Sequence, residues 1–200
     1  MNRRRFGLGL LAGLALSQRT ALAEDEPFPI FASDAQQVDY RFRKRTLAYN
    51  TAEAPGTIIV DSRQRFLYFI LGQGQAIRYG VGVGREEFGW SGEAVIGRKA
   101  KWPRWSPTPE QIARSKVSAS WSQGMAGGLG NPLGARALYL YQNGRDTYYR
   151  IHGTDSPATI GHKSSTGCIR MLNMDVADLY DRVAVGTRVI VLPGGKTGLF

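Results

Sequence analysis

Short apolar runs separated by turn residues dominate the chain between residues 57 and 84. Residues 57–60 are β-branched and apolar, residues 65–71 are aromatic and aliphatic, and residues 76–84 follow a glycine-containing turn. Runs of this length and composition are typical of adjacent antiparallel strands. This half of the chain is therefore predicted to be β-structure.

Three glycines at every second position mark the last of these runs. Gly80, Gly82 and Gly84 fall on one face of the predicted strand, which indicates that another backbone approaches closely there. The sequence Gly82-Val83-Gly84 is not followed by the residues of a nucleotide-binding loop. We therefore reject a nucleotide site at this position.

The second half of the chain contains a hairpin signal and a closing strand. Residues 135–141 and 147–151 are strand-like and are joined by Asn143-Gly144, the strongest short hairpin signal. Residues 187–192 form a final apolar run before Pro193. One firm helix is expected between these strands, capped by Asn173 and ended by Gly186. Its apolar residues recur at helical spacing: Val176, Leu179, Tyr180 and Val183.

Residues 89–134 are predicted to be loop-rich, with a short helix near residues 109–115. This segment contains all four tryptophans: Trp90, Trp102, Trp105 and Trp121. A long aromatic connection of this kind can form a lid over a substrate, or its tryptophans can fill a second small core. The fold class is mainly β with minor α.

The N-terminal 23 residues have the features of a signal peptide. Arg3, Arg4 and Arg5 precede a short apolar stretch, and Ala21-Leu22-Ala23 fits a cleavage site. The arginine run resembles a twin-arginine signal, and both this route and the general secretory route stay open. The apolar stretch is too short to span a membrane. We therefore predict a mature chain without a transmembrane segment, located in the periplasm or cell envelope.

Cleavage after Ala23 divides the rest into an arm (24–54), one domain (55–194) and a tail (195–200). The full chain carries 26 basic and 16 acidic residues, and four of the basic ones lie in the signal peptide. The resulting charge of +6 suits an anionic polymer, and no nucleic-acid motif is present. The basic and aromatic stretch 41–45 either contacts such a polymer or forms a strand or loop over the domain.

Cys168, the only cysteine, and His152 are the candidate catalytic residues. One cysteine cannot form an intramolecular disulfide, so a thiol retained in an exported chain suggests reactivity. A neighbouring imidazole or guanidinium is expected to lower the thiol pKa. The backbone amides of Gly167 and Cys168 can face a developing oxyanion. Arg170 falls on the same strand face as Cys168 and can bind a substrate carboxylate.

Two alternatives are weighed against this interpretation. A lone cysteine is often a small buried hydrophobe, and a lone histidine is often structural. A zinc site built from His152, His162 and Cys168 lacks the close ligand pairs of known zinc motifs. The combination of a glycine loop, an arginine and an export signal favours chemistry by the thiol, with no metal and no cofactor.

These residues resemble the signature of the L,D-transpeptidase catalytic domain, also called the YkuD domain. The similarity extends over residues 55–192 and is carried by four further segments besides the histidine–cysteine stretch. The segments are 56–61, 79–84, 131–134, 151–171 and 185–191. One departure is that Ser165-Thr166-Gly167-Cys168 has threonine where family members often carry histidine. Because that position can act through its backbone amide, threonine is expected to be tolerated.

The resemblance implies a mixed β-sandwich with a long lid-like loop, acting on peptidoglycan stem peptides. Cys168 would attack the stem after its position-three diamino acid and release D-alanine, and His152 would be the base. The Gly153 carbonyl would orient the imidazole, and Arg170 would contact a substrate carboxylate. The acceptor would be a second stem, an anchored envelope protein, a D-amino acid or water, and carbapenems would acylate the thiol. The alternatives are an L,D-carboxypeptidase or amidase, or a non-catalytic peptidoglycan-binding module.

Overall fold

The computed structural model describes residues 26–85, 90–114, 116–165 and 167–193. The predicted signal peptide, the predicted tail and Thr166 lie outside these residues. The strands are β1 (Arg45–Ala48), β2 (Ile58–Asp61), β3 (Phe66–Gly72), β4 (Gln75–Gly80), β5 (Val83–Gly84), β6 (Gly92–Lys101), β7 (Arg136–Gln142), β8 (Arg145–His152), β9 (Lys163–Ser165), β10 (Ile169–Arg170) and β11 (Arg188–Leu192). The α-helices are α1 (Pro109–Arg114), α2 (Lys116–Ser120) and α3 (Asn173–Arg182), and 3₁₀ turns span Ala32–Gln37, Tyr40–Phe42 and Pro157–Thr159.

Nine strands form one sheet in the order β1-β4-β3-β2-β11-β6-β7-β8-β10, and β5 pairs with β9. Most neighbours are antiparallel, while β2–β11, β8–β10 and β5–β9 are parallel. The mainly-β prediction with mixed strand directions is confirmed. The predicted hairpin is also confirmed, with Asn143 and Gly144 both at positive φ between β7 and β8.

Both faces of the central strands are buried, which explains why β3 is continuously apolar. Leu67 and Phe69 contribute to one apolar cluster, whereas Phe66, Tyr68 and Ile70 contribute to a second. Because side chains alternate across a strand, these two sets lie on opposite faces of the sheet. Helix α3 packs into the first cluster through apolar residues that include Val176 and Leu179, and the N-terminal segment covers the second with Val38 and Phe42.

The loop-rich prediction for residues 89–134 is wrong at its start. Residues 92–101 form β6, which pairs with both β11 and β7. Strand β6 was not predicted because it contains glycines, which are unusual in strands. Gly97, for example, leaves room for the Tyr141 ring, which a Cβ would approach to 2.3 Å. The irregular segment therefore begins at Trp102, and the predicted short helix is confirmed as α1.

The predicted ends of α3 are also wrong. The N-cap is Leu172, and it makes no side-chain capping bond, while the helix ends at Arg182. Gly186, at φ 93°, lies in the turn beyond the helix rather than at its end. Asn173 is the first helical residue, and its side chain makes other contacts, described below.

The described residues of the N-terminal segment, which begin at Glu26, pack against the domain. The Glu26 carboxylate pairs with the buried Arg136 and accepts a hydrogen bond from Trp102 Nε1 at 2.7 Å. Phe28 packs edge-on against the Trp102 ring, with 5.0 Å between centroids. Trp102 therefore belongs to a small core. For this tryptophan, the interpretation as part of a second small core is confirmed.

The basic stretch 41–45 ends in strand β1, which pairs with β4. Its side chains stack on aromatic rings, and Arg41 lies 5.5 Å from the centroid of Phe42. Residues 41 and 42 belong to the 3₁₀ turn and only Arg45 belongs to β1, so the stretch lies against the domain, as the alternative of a strand or loop over the domain predicts. Among the described residues, no helix has both the length and the apolar character needed to cross a membrane.

Candidate active site

His152 is the last residue of β8, and its ring is held by its own chain. Its Nδ1 lies 2.6 Å from the carbonyl oxygen of Gly153, and the residue is 4% exposed. A carbonyl only accepts hydrogen bonds, so Nδ1 carries the proton and Nε2 keeps its lone pair. Burial lowers the pKa of His152 to about 4; the Gly153 contact opposes this, and the charges of Arg170 and Arg150 reinforce it. The imidazole is therefore neutral at neutral pH.

Parallel pairing of β10 with β8 brings the cysteine to the histidine. Ile169 is paired with Ile151, and Arg170 with His152. Both isoleucines are buried in the core, so Arg170 and His152 project from the opposite face. Cys168 precedes β10 by one residue, and strand spacings place its Cα roughly 8 Å from that of His152.

Cys168 as a residue is partly exposed, but its sulfur is surrounded by protein and forms a hydrogen bond with the backbone of Arg150. Burial raises the pKa of this thiol, and this effect outweighs the opposing effects of the Arg150 hydrogen bond and the charges of Arg150 and Arg170. Because the bond lowers the pKa of an acid, the backbone group is the N–H donor. The expected lowering of the thiol pKa is therefore wrong for the free protein.

Two of the three regularly spaced glycines, Gly82 and Gly84, pack against the segment that carries the cysteine, and Gly80 packs against Phe42. Gly82 exchanges two backbone hydrogen bonds with Arg170, at 2.9 and 2.8 Å. A Cβ on Gly84 would lie 2.8 Å from the Cα of Gly167, and one on Gly80 would lie 2.1 Å from the Phe42 carbonyl oxygen. The predicted close approach is thus confirmed at all three positions. Gly167 itself has φ 124°, which strongly favours glycine.

A shallow cleft lies beside the β7–β8 hairpin, and its lining does not include His152, Cys168 or Arg170. It has a volume of about 540 Å³, and its lining residues include Trp90 and Tyr149, whose rings stack with 5.4 Å between centroids. Burial raises the pKa of Tyr149, and the charge of Cys168 raises it further.

Two side chains near the site were not identified from the sequence. Arg150 lies on the same strand face as His152, forms two hydrogen bonds with Asp146 (2.7 and 2.9 Å) and stacks on Tyr139. Because Arg150 lies two residues before His152 in a predicted strand, the sequence could have indicated that both side chains share one face. The side chain of Asn173 contacts the backbone of Ala135 and Thr154, for which the sequence held no signal.

His162 is exposed, on the loop directly before β9. Within the ranges that the structure describes, no group of three histidine, cysteine or acidic side chains is arranged to hold a metal ion.

Residues 55–191 match the model of the L,D-transpeptidase catalytic domain, YkuD. The chain belongs to this family. L,D-Transpeptidases are acyltransferases that act on peptidoglycan. The chain is 32% identical over 139 residues to the Probable L,D-transpeptidase YbiS of Escherichia coli K12, covering 67% of this chain and 43% of that protein.

Solved structures give the same fold. An L,D-transpeptidase from Mycobacterium smegmatis superposes with a TM-score of 0.50 at 17% identity, covering 70% of this chain and 59% of that one. A Brucella melitensis structure described as a probable carnitine operon oxidoreductase is 48% identical, with a TM-score of 0.54, and covers 80% of this chain and 99% of that one. The chain spans about half or less of the length of the first curated relatives that it matches.

Proposed function

We propose that this protein is an exported peptidoglycan L,D-transpeptidase that uses Cys168 as its nucleophile. The observation that carries the proposal is the parallel β8–β10 pair, in which Arg170 is paired with His152 and Cys168 is the residue directly before β10. Export rests on the signal-like sequence of residues 1–23, and places the enzyme in the periplasm or cell envelope. The proposed catalytic domain is residues 55–194, preceded by the arm 24–54.

The first half-reaction forms a thioester. Cys168 Sγ attacks the carbonyl carbon of the position-three diamino acid in a tetrapeptide stem, and His152 Nε2 takes the thiol proton. The backbone amides of Gly167 and Cys168 stabilise the oxyanion. The C–N bond then breaks, and the departing D-alanine amine receives the proton from His152 Nε2.

The second half-reaction transfers the acyl group. An acceptor amine attacks the thioester and loses a proton to His152, and the thiol of Cys168 leaves with that proton. A second stem would give a 3→3 cross-link, and an envelope protein would become anchored to the wall. Attack by water would instead make the enzyme an L,D-carboxypeptidase.

The raised thiol pKa predicts that the resting pair is a neutral thiol and a neutral imidazole. We therefore expect thiolate ultraviolet absorbance to be absent at neutral pH and to develop only above the ordinary thiol pKa of about 8.5. Burial is the cause, because it disfavours the charged sulfur. The difference between the pH titrations of the wild type and of Cys168→Ser gives the absorbance of the Cys168 thiolate. Full thiolate absorbance at neutral pH would show instead that the resting pair is ionised.

Arg170→Ala tests the carboxylate role. Loss of one charge-assisted contact is expected to raise KM for a tetrapeptide stem by about 10-fold or more. Alkylation of Cys168 by a small neutral reagent should fall by less than about 3-fold, because Arg170 is the smallest of the influences acting on the thiol pKa. The exposed Arg63→Ala serves as the control. An equal loss in both assays would mean that Arg170 acts through the thiol and not through the substrate.

A further inference from the structure

We propose that Asn173 is the positioning residue for His152, acting through the peptide unit between Gly153 and Thr154. The side chain of Asn173 reaches from the start of α3 to the segment that follows β8. It fixes the direction of the carbonyl that holds the imidazole, and so fixes which ring nitrogen carries the proton. The proposal rests on the proposed function only for its activity measurement.

Three hydrogen bonds tie the Asn173 amide to backbone on two neighbouring segments. Its Oδ1 accepts from the N–H of Ala135 at 2.9 Å and from the N–H of Thr154 at 3.2 Å. Its Nδ2 donates to the carbonyl oxygen of Thr154 at 2.9 Å. Oδ1 thus has two donors and Nδ2 has one acceptor, a well-satisfied arrangement for a half-buried amide.

Planarity of the peptide bond carries the effect from Asn173 to His152. The N–H of Thr154 and the C=O of Gly153 belong to the same peptide unit, and in a trans peptide they point in opposite directions. No peptide bond in the described part of the chain is cis. When Asn173 Oδ1 holds that N–H, the Gly153 oxygen is turned away from Asn173 and toward His152 Nδ1, 2.6 Å away.

Two glycines create the space for this amide. A Cβ on Gly153 would lie 2.1 Å from Asn173 Oδ1, and a Cβ on Gly134 would lie 2.2 Å from the same atom. Neither position could carry a side chain without displacing the amide. Because α3 is anchored in the apolar core by Val176 and Leu179, the amide is held by a rigid element.

The tautomer matters because only an unprotonated Nε2 can take the proton of Cys168. The buried ring has no acidic side chain recorded as a partner among the described residues, so the Gly153 carbonyl is the group that selects the tautomer. A peptide that rotates when Asn173 is removed would present its N–H to the ring instead. The proton would then move to Nε2, and the base would be lost.

Asn173→Ala removes all three hydrogen bonds and tests this directly. The chain has only two histidines, so ¹⁵N spectra of the rings are simple, and His162→Gln assigns them. In the wild type we expect His152 to be protonated at Nδ1. In Asn173→Ala we expect a mixture of tautomers and acylation of Cys168 by a carbapenem that is about 10- to 100-fold slower.

Gly153→Ala disturbs the same contact between Asn173 and the Gly153–Thr154 peptide by changing the glycine. It tests the proposal if Asn173→Ala does not fold. Gly153 has no positive φ, so the main strain of alanine there is its collision with Asn173 Oδ1 at 2.1 Å, with close contacts to Ala135 N at 3.0 Å and Gly134 Cα at 3.1 Å beside it. Gly130→Ala is the matched control, since a Cβ at Gly130 meets no atom within 4 Å. We expect the altered tautomer in Gly153→Ala and a wild-type spectrum in Gly130→Ala.

If Asn173→Ala is acylated slowly but keeps the tautomer of the wild type, the proposal is overturned, because Asn173 would then have only a structural role. Unchanged acylation and tautomer in a folded variant would overturn it as well. The ring spectra need no substrate, so they report on Asn173 even if the wild type fails to process peptidoglycan. Failure of the proposed function would appear separately, as an inactive wild type with the Nδ1-protonated ring.

Discussion

Replacement of Cys168 by alanine is expected to lower the rate of tetrapeptide processing by about 10⁴-fold or more. The thioester route depends on one sulfur atom, and the chain has no other cysteine to substitute for it. Purified protein would be incubated with a disaccharide-tetrapeptide and the products weighed by mass spectrometry. Dimers lacking one D-alanine indicate transfer, and free tripeptide indicates hydrolysis.

Thermal unfolding of the same variant separates catalysis from packing. Cys168 is partly exposed rather than enclosed in the core, so alanine should change the free energy of unfolding by less than about 1 kcal/mol. A carbapenem should add its mass to the wild type and not to Cys168→Ala. A wild type that leaves the tetrapeptide unchanged would count against both enzymatic readings and favour a binding module. A large loss of stability with retained activity would make the cysteine a packing residue.

Glu26→Gln is expected to destabilise the fold by about 3 kcal/mol, a fall in Tm of about 6–12 °C. The reason is that Arg136 is 2% exposed and its guanidinium pairs with the Glu26 carboxylate. Removal of that charge leaves a buried cation without its partner. Arg136 lies next to Ala137, which is paired with His152, so the N-terminal segment also supports the strand that carries the base.

Two further variants check the cause of that loss. Glu53→Gln removes a carboxylate that pairs with the exposed Arg188, and it should change the Tm little. Combining Glu26→Gln with Arg136→Met removes both charges and should recover part of the lost stability. If Glu26→Gln unfolds at the wild-type temperature, the contact with Arg136 does not hold the N-terminal segment in solution.

Local sequence patterns were sufficient for most of the strands, but not for β6. The hairpin at Asn143-Gly144 follows from turn residues that tolerate positive φ, and β3 follows from its continuous apolar run. Strand β6 contains glycines and charged residues. Whether a strand tolerates them depends on what packs against them, such as the Tyr141 ring. Because those neighbours come from distant parts of the chain, no local pattern indicates the strand.

The site shows the same division. Cys168, His152 and Arg170 could be selected by residue type and spacing, and alternation along a strand would also have indicated Arg150. Asn173 was predicted as a helix cap, since asparagine before an amphipathic run is typical of one. In the structure, the Asn173 side chain instead forms hydrogen bonds with the backbone of Ala135 and Thr154. These bonds depend on where α3 packs.

By itself, the sequence determined the β-rich fold, the family and the candidate nucleophile and base, because these depend on residue types and on short-range periodicity. Tertiary structure alone decided the electrostatics. Burial lowers the pKa of His152 to about 4 and raises that of the Cys168 thiol, against the effect of the nearby guanidinium on that thiol. Desolvation depends on every atom that surrounds a group, and those atoms come together only when β8, β10 and the glycine-rich strand are packed.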